Sequence, residues 1–238
     1  MSKMLSGVFS NGKMKKLALF DFCETLISFQ TADVFVDYVR QKEGNLYMKF
    51  LNTFLVALRK AKVIAILNKL FPYSGISKRI KLLQLKGFTN VRLDSLAESY
   101  YQDLIKPNLI APITKEMNRL IGKNYEVCIV SAGYSLYLKY FTEDYNIKHL
   151  IATEIEFDKI GTRCLGRISG KDCIHNQKIN RINSYFNGQK IDYKKSISYS
   201  DSITDLPLLS MTGQGVVVSR TRSQSWSHLY KFKEIIWT

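Results

Sequence analysis

Short apolar runs that end in polar residues, separated by stretches of helical periodicity, constrain this sequence most strongly. Leu17 to Phe22 is a run of this kind, and Glu126 to Val130 and Ser196 to Tyr199 are also predicted as strands that end in polar residues. Continuous apolar runs without alternation are typical of strands that are buried on both faces. Strands that alternate with helices predict a parallel sheet covered by helices on both sides. We therefore predict an α/β fold with a doubly wound, Rossmann-like sheet.

The same alternation continues through the second half of the chain. Phe157 to Ile168 is predicted as a hairpin that turns at Gly161, because glycine marks tight turns. Thr114 is predicted to cap the helix that begins there. The predicted helices are 114–121, 136–145, 177–186 and 206–211, and the further strands are 150–156 and 215–218, the latter being the last strand.

Between the first two predicted strands the periodicity becomes helical. Phe50 and Phe54 recur at four-residue spacing, and breaks at residues 72–75 and at Gly87 separate the helices. This stretch is predicted to be an inserted, all-helical cap domain. The predicted boundaries are 16–28 and 109–219 for the core domain, 29–108 for the cap, 1–15 for a leader and 220–238 for a C-terminal tail.

The formal net charge of +15 is unusual for a chain of this size. Such a field attracts anions, including phosphorylated metabolites, nucleic acid and acidic lipids. No recognition motif for nucleic acid accompanies it, so we expect no specific nucleic-acid partner. The basic apolar stretch from Leu51 to Phe71 is interrupted by four cations and is predicted not to span a membrane. We expect a buried cap helix with a solvated edge there, and peripheral membrane contact is the less favoured alternative.

The cysteines give no sign of a disulfide framework. Cys23, Cys128, Cys164 and Cys173 form no CxxC pair, and no histidine stands near them at zinc-site spacing. The apolar run before Asp21 is too short for a signal peptide. A reducing, cytoplasmic location is therefore expected. The sequence does not predict an oligomeric state.

Polar side chains follow three of the predicted strands. Asp21 follows the first strand, Ser131 the second, and Asp201 with Asp205 a later one, while Lys178 opens the preceding helix. Ligands of open parallel sheets bind outside the carboxyl ends of the strands. Carboxylates there hold Mg²⁺, a carboxylate can also attack phosphorus, and a lysine or hydroxyl stabilises the oxygens of the transferred group. This set of side chains predicts phosphoryl transfer.

Each of these residues alone also has a structural explanation. Asp21 can simply end a strand, Ser131 can cap a helix, and Lys178 can be solvated. Asp205 stands where an N-cap is expected, with Pro207 at an early helical position. Their order along the chain and their shared place at strand ends favour the functional interpretation.

Four segments then resemble the motifs of a known family. Phe20-Asp-Phe-Cys-Glu-Thr-Leu26 resembles the first motif of the haloacid dehalogenase-like hydrolases, Val130-Ser-Ala-Gly133 the second, Lys178 the third, and Tyr199-Ser-Asp-Ser-Ile-Thr-Asp-Leu-Pro-Leu208 the fourth. The phosphoserine-phosphatase-like subgroup is the most similar. It implies a helical cap between the first two motifs, as the periodicity also predicts.

The resemblance implies a role for each matched residue. Asp21 is implied as the phospho-accepting nucleophile of a Mg²⁺-dependent enzyme, and Thr25 as the support of its loop. The implied phosphate-binding residues are Ser131, Ala132, Gly133 and Lys178, and the implied metal ligands are Asp21, Asp201 and the backbone carbonyl of Cys23, with Asp205 as a ligand or an indirect partner.

Two departures from the family pattern bear on activity. Cys23 stands where the family's phosphatases have the aspartate that protonates the leaving group, and such acid–base help gives about 10²–10⁴ in rate. A substrate with a better leaving group, an acceptor other than water, or an acid from Glu24 or the cap are three ways to compensate. Gln30 and Glu24 replace residues of phosphoserine phosphatases, which favours a different substrate.

Two functional hypotheses follow. The first is a phosphatase or phosphotransferase that acts on a small phosphorylated metabolite through an aspartyl-phosphate on Asp21. The second is a catalytically weakened scaffold that binds a phosphorylated ligand or a protein partner, and it rests on Cys23.

Overall fold

Six parallel strands form the sheet that the sequence predicts. The computed structural model describes residues 14–70 and 75–238, apart from the side chain of Asn68. Its strands are β1 (Leu17–Phe20), β2 (Glu126–Tyr134), β3 (His149–Thr153), β4 (Ile155–Phe157), β5 (Cys164–Ile168), β6 (Ile197–Ser200), β7 (Gln214–Arg220) and β8 (Lys233–Trp237). β4 and β5 pair as a separate antiparallel hairpin, as predicted. The other six strands stand in the order β3-β2-β1-β6-β7-β8.

The described α-helices either flank this sheet or belong to the insertion that follows β1 and ends before residue 111. The first group consists of α6 (Ala111–Gly122), α7 (Ser135–Asp144), α8 (Asn176–Tyr185), α9 (Leu206–Met211) and α10 (Ser225–Leu229). The insertion consists of α1 (Thr31–Glu43), α2 (Leu46–Lys60), α3 (Val63–Leu70), α4 (Ile76–Leu82) and α5 (Asn90–Tyr100), and α5 continues into a π-helical turn at Tyr101–Ile105.

β1 lies at the centre of the sheet, and its four residues are fully buried. Its side chains alternate between two hydrophobic cores because successive strand residues point to opposite faces. Ala18 and Phe20 belong to the core that contains residues of α6 and α7, whereas Leu17 and Leu19 belong to the core that contains residues of α8 and α9. Full burial of a leucine side chain contributes about 1.5–3 kcal/mol. The two cores confirm the doubly wound architecture.

A largely buried ion pair links the insertion to the rest of the molecule. Lys78 of α4 lies 2.7 Å from Asp172, which is itself buried and accepts a hydrogen bond from Thr153. Within the insertion, the buried Lys81 lies 2.7 Å from Asp37. The predicted domain boundaries themselves stay a prediction.

The stretch from Leu51 to Phe71 differs from the expected buried helix. It falls in α2 and α3, whereas Phe71 lies outside the described residues. Met48 and Leu55 are the buried residues of α2, while Phe54, Ile66 and Leu70 are exposed. One side is buried, at Leu55 and Ile64, and the other is solvated as expected, but the solvated side carries large apolar side chains, which was not expected. No helix among the described residues is long and apolar enough to cross a membrane.

The structure also corrects two local predictions near α6 and β2. α6 begins at Ala111, three residues before Thr114, and has Pro112 in its first turn. Thr114 is therefore not a cap, and its hydroxyl donates to the carbonyl of Ala111 at 3.0 Å. Such back-bonding to the preceding turn is a common role of threonine inside a helix. β2 continues through Tyr134, four residues beyond its predicted end.

The segments predicted as the leader and as the C-terminal tail both contain residues whose backbone pairs with other strands or segments. β8 lies within the predicted tail and pairs in parallel with β7, so residues 215–218 do not form the last strand. At the other end, Lys15 donates its N–H to the carbonyl of Lys190 at 2.8 Å and bridges to Ile191. The rest of the predicted leader, residues 1–13, lies outside the described residues. β8 was not predicted because a short edge strand with partly exposed side chains has little apolar periodicity.

Gly213 provides a test of close packing beside β7. Its N–H donates to the carbonyl of Tyr193 at 2.7 Å, and a Cβ at this position would stand 1.8 Å from the carbonyl oxygen of Lys194. We expect Gly213→Ala to lower the free energy of unfolding by about 1–3 kcal/mol or more, because backbone atoms must move. Urea unfolding measures this change.

The matched control is Gly122→Ala at the end of α6. A Cβ there meets no atom within 4 Å, and the position has no positive φ. Its stability should stay unchanged or rise by about 0.4–1 kcal/mol. Equal effects of the two substitutions would show that the contact at Gly213 is not tight.

Candidate active site

The carboxyl ends of β1, β2 and β6 bring most of the predicted site residues to one edge of the sheet, although Thr25, Ser131 and Gly133 do not line the pocket there. β1 lies between β2 and β6, and Asp21 donates its N–H to the carbonyl of Tyr199 at 2.9 Å. A pocket of about 200 Å³ opens at this edge of the sheet. It is lined by Asp21, Cys23, Glu24, Gln30, Ala132, Ile174, His175, Lys178, Asp201, Ser202, Thr204 and Asp205.

Lys178 is the charged centre of the pocket. Its Nζ lies 2.7 Å from Oδ1 of Asp21 and 2.5 Å from Oδ2 of Asp205, and all three side chains are buried. Burial alone would lower the pKa of the ammonium group, but the two carboxylates outweigh it and raise that pKa. Ser200 donates to the same oxygen of Asp205 at 2.8 Å. Lys178 is therefore a permanent cation that orients Asp21.

Thr25 ties the loops after β1 and β6 together. Its hydroxyl oxygen accepts the N–H of Asp201 at 3.0 Å. The hydroxyl proton is donated to Oδ1 of Asp201 at 3.1 Å, and Oδ2 of Asp21 lies 3.4 Å away. One buried hydroxyl thus keeps two carboxylates near each other.

The ionised form of Asp201 is destabilised in the fold, because its carboxylate lies buried near other carboxylates. It forms no ion pair with a cation among the described residues, whereas Asp21 and Asp205 share Lys178. Burial, followed by repulsion from Asp21 and Glu24, raises the pKa of Asp201 to about 8. Burial also raises the pKa of Asp21 to about 6, although Lys178 opposes this effect.

The lack of positive charge beside the Asp201 carboxylate is what makes a cation fit at this point of the pocket. No three acidic, histidine or cysteine side chains in the described part of the chain are grouped as a complete metal site. Mg²⁺ does not require such a group, because it binds one or two carboxylates and fills its octahedron with water and phosphate oxygens. Asp21 and Asp201 line the same pocket and are the two carboxylates that would supply this donor set.

The last residues of β2, from Ser131 to Tyr134, lie beside the pocket. Ala132 lines the pocket, whereas Ser131 is fully buried and its hydroxyl accepts the N–H of Gly133 at 2.9 Å. The proton of that hydroxyl is left for donation. The carbonyl of Ala132 accepts a hydrogen bond from Lys78 at 2.6 Å. A Cβ at Gly133 would approach the hydroxyl of Tyr137 to 2.9 Å, so a larger residue does not fit.

Cys23 is held as a neutral thiol. Its Sγ lies 3.1 Å from Oγ1 of Thr31, and that hydroxyl lies 2.8 Å from the hydroxyl of Tyr137. Burial and the nearby Asp21 raise the pKa of Cys23 to about 11. A thiol with this pKa cannot serve as a general base near neutral pH. The contact of Cys23 with Thr31, and that of Thr31 with Tyr137, were not predicted, because they depend on how the start of α1 lies against α7.

Several pocket residues were not identified from the sequence. His175, Ser202 and Thr204 line the pocket together with the predicted residues. His175 precedes α8 and has φ 47° and ψ −131°, a conformation that non-glycine residues seldom adopt. Strain of this kind concentrates at functional sites. A residue's identity does not reveal such a backbone angle.

A second, larger cavity adjoins the pocket. It has a volume of about 720 Å³ and shares Ile174, His175 and Thr204 with the pocket. Exposed Arg79 and Lys171 also line it, while its acidic residue, Asp172, is already paired with Lys78. The cavity therefore offers positive charge to a group that extends from the pocket.

The sequence and the fold were both compared with known proteins. The profile of the haloacid dehalogenase-like hydrolase family matches residues 18–210. No curated protein matches the chain significantly.

Three solved structures illustrate the likeness of fold. A protein of unknown function from Bordetella pertussis Tohama I has a TM-score of 0.76 and 21% identity, covering 94% of this chain and 99% of its own. A HAD family hydrolase from Salmonella enterica serovar Typhi has a TM-score of 0.63 and 14% identity, covering 93% and 67%. A phospho-aspartyl intermediate analogue of phosphoserine phosphatase has a TM-score of 0.56 and 17% identity, covering 87% of each chain. Because the profile match spans most of the sequence, this protein belongs to the haloacid dehalogenase-like hydrolase family.

Proposed function

We propose that this protein is a Mg²⁺-dependent phosphatase or phosphotransferase in which Asp21 accepts the phosphoryl group of a small phosphorylated metabolite. The observation that carries this proposal is the bridging of Asp21 and Asp205 by the buried Lys178, beside Asp201, which has no ion-pair partner among the described residues. The likeness in fold to a phospho-aspartyl analogue of phosphoserine phosphatase gives support.

Asp21 is suited to attack on phosphorus. Lys178 stabilises its ionised form, which is the nucleophilic form, and fixes Oδ1 at 2.7 Å. In the proposed reaction a carboxylate oxygen of Asp21 bonds to phosphorus while the bond to the leaving oxygen breaks. Water or another acceptor then attacks the phosphorus of the acyl-phosphate and restores the carboxylate. Lys178, the hydroxyl of Ser131 and the backbone at Ala132 and Gly133 are the donors proposed for the phosphoryl oxygens.

The residues for Mg²⁺ in this proposal are Asp21, Asp201 and the backbone carbonyl of Cys23. A bound Mg²⁺ would neutralise charge on the carboxylates and on the phosphoryl group. Asp205 was predicted as a ligand or an indirect partner, and its contacts with Lys178 and Ser200 favour the indirect role. It positions the lysine that orients Asp21.

The leaving group determines what proton transfer is needed. Cys23 holds its proton with a pKa of about 11 and faces Thr31, so it is a poor match for acid–base work near neutral pH. The leaving groups of acyl phosphates and anhydrides depart without a proton. These compounds are therefore the favoured substrates. For ordinary esters, Glu24 is the carboxylate on the pocket wall that is free to help.

The adjoining cavity restricts the shape and charge of the substrate. A leaving group that enters past Ile174, His175 and Thr204 meets Arg79 and Lys171. A metabolite with a second negative group suits this lining. Substrate panels should therefore contain pairs that differ only in a second phosphate or carboxylate.

A catalytically weakened scaffold is the second candidate. The neutral, hydrogen-bonded thiol of Cys23 favours it, because the group that normally transfers the proton is absent. The two candidates differ in whether Asp21 supports turnover of any phosphorylated compound.

Replacement of the nucleophile tests the proposal directly. We expect Asp21→Asn to lower phosphate release with Mg²⁺ by about 10³-fold or more, since removing a nucleophile abolishes its covalent step. The fold should persist because Lys178 keeps Asp205 as a partner. Phosphate release from a panel of phosphomonoesters and anhydrides measures the effect, and Glu143→Gln, an exposed carboxylate-to-amide change, is the control. Equal rates for Asp21→Asn and the unmodified protein on every substrate would refute the phosphatase.

Restoring a carboxylic acid at position 23 tests the role of the thiol. Cys23→Asp should raise the rate for alkyl phosphates, by about 10²-fold at the lower end of general-acid effects. The rate for acetyl phosphate should change much less, because its leaving group needs no proton. Cys23→Ser is the control and should leave the ratio of the two rates unchanged. A fall in both rates would instead show that the cysteine suits its own chemistry.

The raised pKa values predict how stability depends on pH without divalent cations. Asp21 and Asp201 have pKa values of about 6 and about 8, above the ordinary 3.8. The folded state therefore binds protons more tightly, and stability should fall as pH rises from about 4 to about 8. Asp201→Asn should remove most of the fall above pH 6, and Mg²⁺ should reduce it in the unmodified protein. Thermal unfolding in a chelator measures both, with Glu143→Gln as control, and superimposable profiles for Asp201→Asn and the unmodified protein would contradict the assignment.

A further inference from the structure

We propose that the outer side of α2 and α3 docks on the surface of an anionic lipid bilayer. The docking face is defined by Leu46, Phe50 and Phe54 of α2 and by Ile66 and Leu70 of α3. Their exposed fractions are 84%, 69%, 49%, 57% and 66%. Residues four apart lie on one side of a helix, so each helix presents a continuous apolar stripe.

The apolar stripe of α2 is turned away from the protein. The inward side of this 15-residue helix buries Met48 and Leu55. The outward side therefore exposes three large apolar side chains to water, whereas two residues of this helix are fully buried on the inward side. Soluble proteins rarely expose contiguous apolar patches of this kind unless the patch binds something.

The charges around the docking face select an anionic partner. Lys49, Lys60, Lys62 and Lys69 are exposed, and none of them forms an ion pair with another described residue. The sequence contains no aspartate or glutamate between Glu43 and Asp94. Basic helices with one apolar side lie in the interface of membranes that carry acidic lipids.

Two other occupants fit less well. A second copy docked by two-fold symmetry would bring two copies of the same basic face together, and the sequence has no acidic residue from 44 to 93 to offset their repulsion. Nucleic acid would satisfy the lysines but would leave the leucine and isoleucine side chains in water. An acidic bilayer satisfies both the charge and the apolar stripe.

The docking face is connected to the candidate site through α4. Both α2 and α3 pack against α4. From α4, Lys78 reaches the carbonyl of Ala132 and Arg79 lines the larger cavity. The inference goes beyond the proposed function and does not depend on it.

Flotation with vesicles tests the proposal on the whole chain without substrate. The probes are vesicles of phosphatidylcholine alone and vesicles with 30 mol% phosphatidylglycerol. The unmodified protein should bind the anionic vesicles at least tenfold more strongly than the vesicles of phosphatidylcholine alone. Leu46→Ser with Phe50→Ser should weaken this binding at least tenfold, and so should reversal of Lys49, Lys60, Lys62 and Lys69 to glutamate.

Matched controls distinguish a specific role of the docking face from general effects of net charge and surface hydrophobicity. Ile160→Ser with Leu229→Ser removes equally exposed apolar groups elsewhere. Reversal of exposed Lys123, Lys159, Lys190 and Lys194 gives the same net charge as the lysine variant. Both controls should bind within about twofold of the unmodified protein, and thermal unfolding checks that every variant is folded.

Three results would overturn the proposal. The first is that the protein stays in the soluble fraction with anionic vesicles. The second is that the control reversals weaken binding as much as the reversals on the docking face. The third is a dimer in sedimentation that Leu46→Ser with Phe50→Ser converts to monomer, because the face would then be covered by a second copy.

Discussion

A buried ammonium group shared by two buried carboxylates holds the functional edge of this protein together. Lys178 of α8 bonds at once to Asp21 after β1 and to Asp205 before α9. Buried charges are costly unless they are paired, and removal of one partner leaves another charge uncompensated. The three segments can therefore meet in one arrangement only. Thr25 adds Asp201 to the same group, so the loops after β1 and β6 are fixed relative to each other.

Much of this arrangement was predictable because it rests on strand ends. The segments that begin at Leu17 and Ser196 were predicted as strands of one parallel sheet, and parallel strands carry their carboxyl ends to the same edge. Asp21, Lys178, Asp201 and Asp205 accordingly line one pocket. Ser131 is near but turns its hydroxyl toward Gly133. The strained backbone of His175 was beyond prediction, because no local pattern encodes a positive φ at histidine.

Errors in the sequence interpretation have a common physical origin. Burial depends on which neighbours a helix finds, so the periodicity around Phe54 could not reveal that its apolar side faces water. β8 is a short edge strand with partly exposed side chains, and its pairing with β7 comes from the sheet rather than from its own pattern. Thr114 carries the right residue type for a cap but stands three residues inside the helix, where back-bonding is available to it.

The central position of β1 also bears on how the chain reaches this fold. Leu17 to Phe20 are fully buried, yet their partners in the sheet are residues 126–129 and 197–199. Contacts so remote in sequence form slowly, because long loops must close first. Until both partners arrive, a short and wholly apolar strand has unsatisfied edges and can pair with another molecule instead. Refolding should accordingly be slow and sensitive to protein concentration, with the helices between β1 and β2 gaining structure before the sheet closes around its own centre.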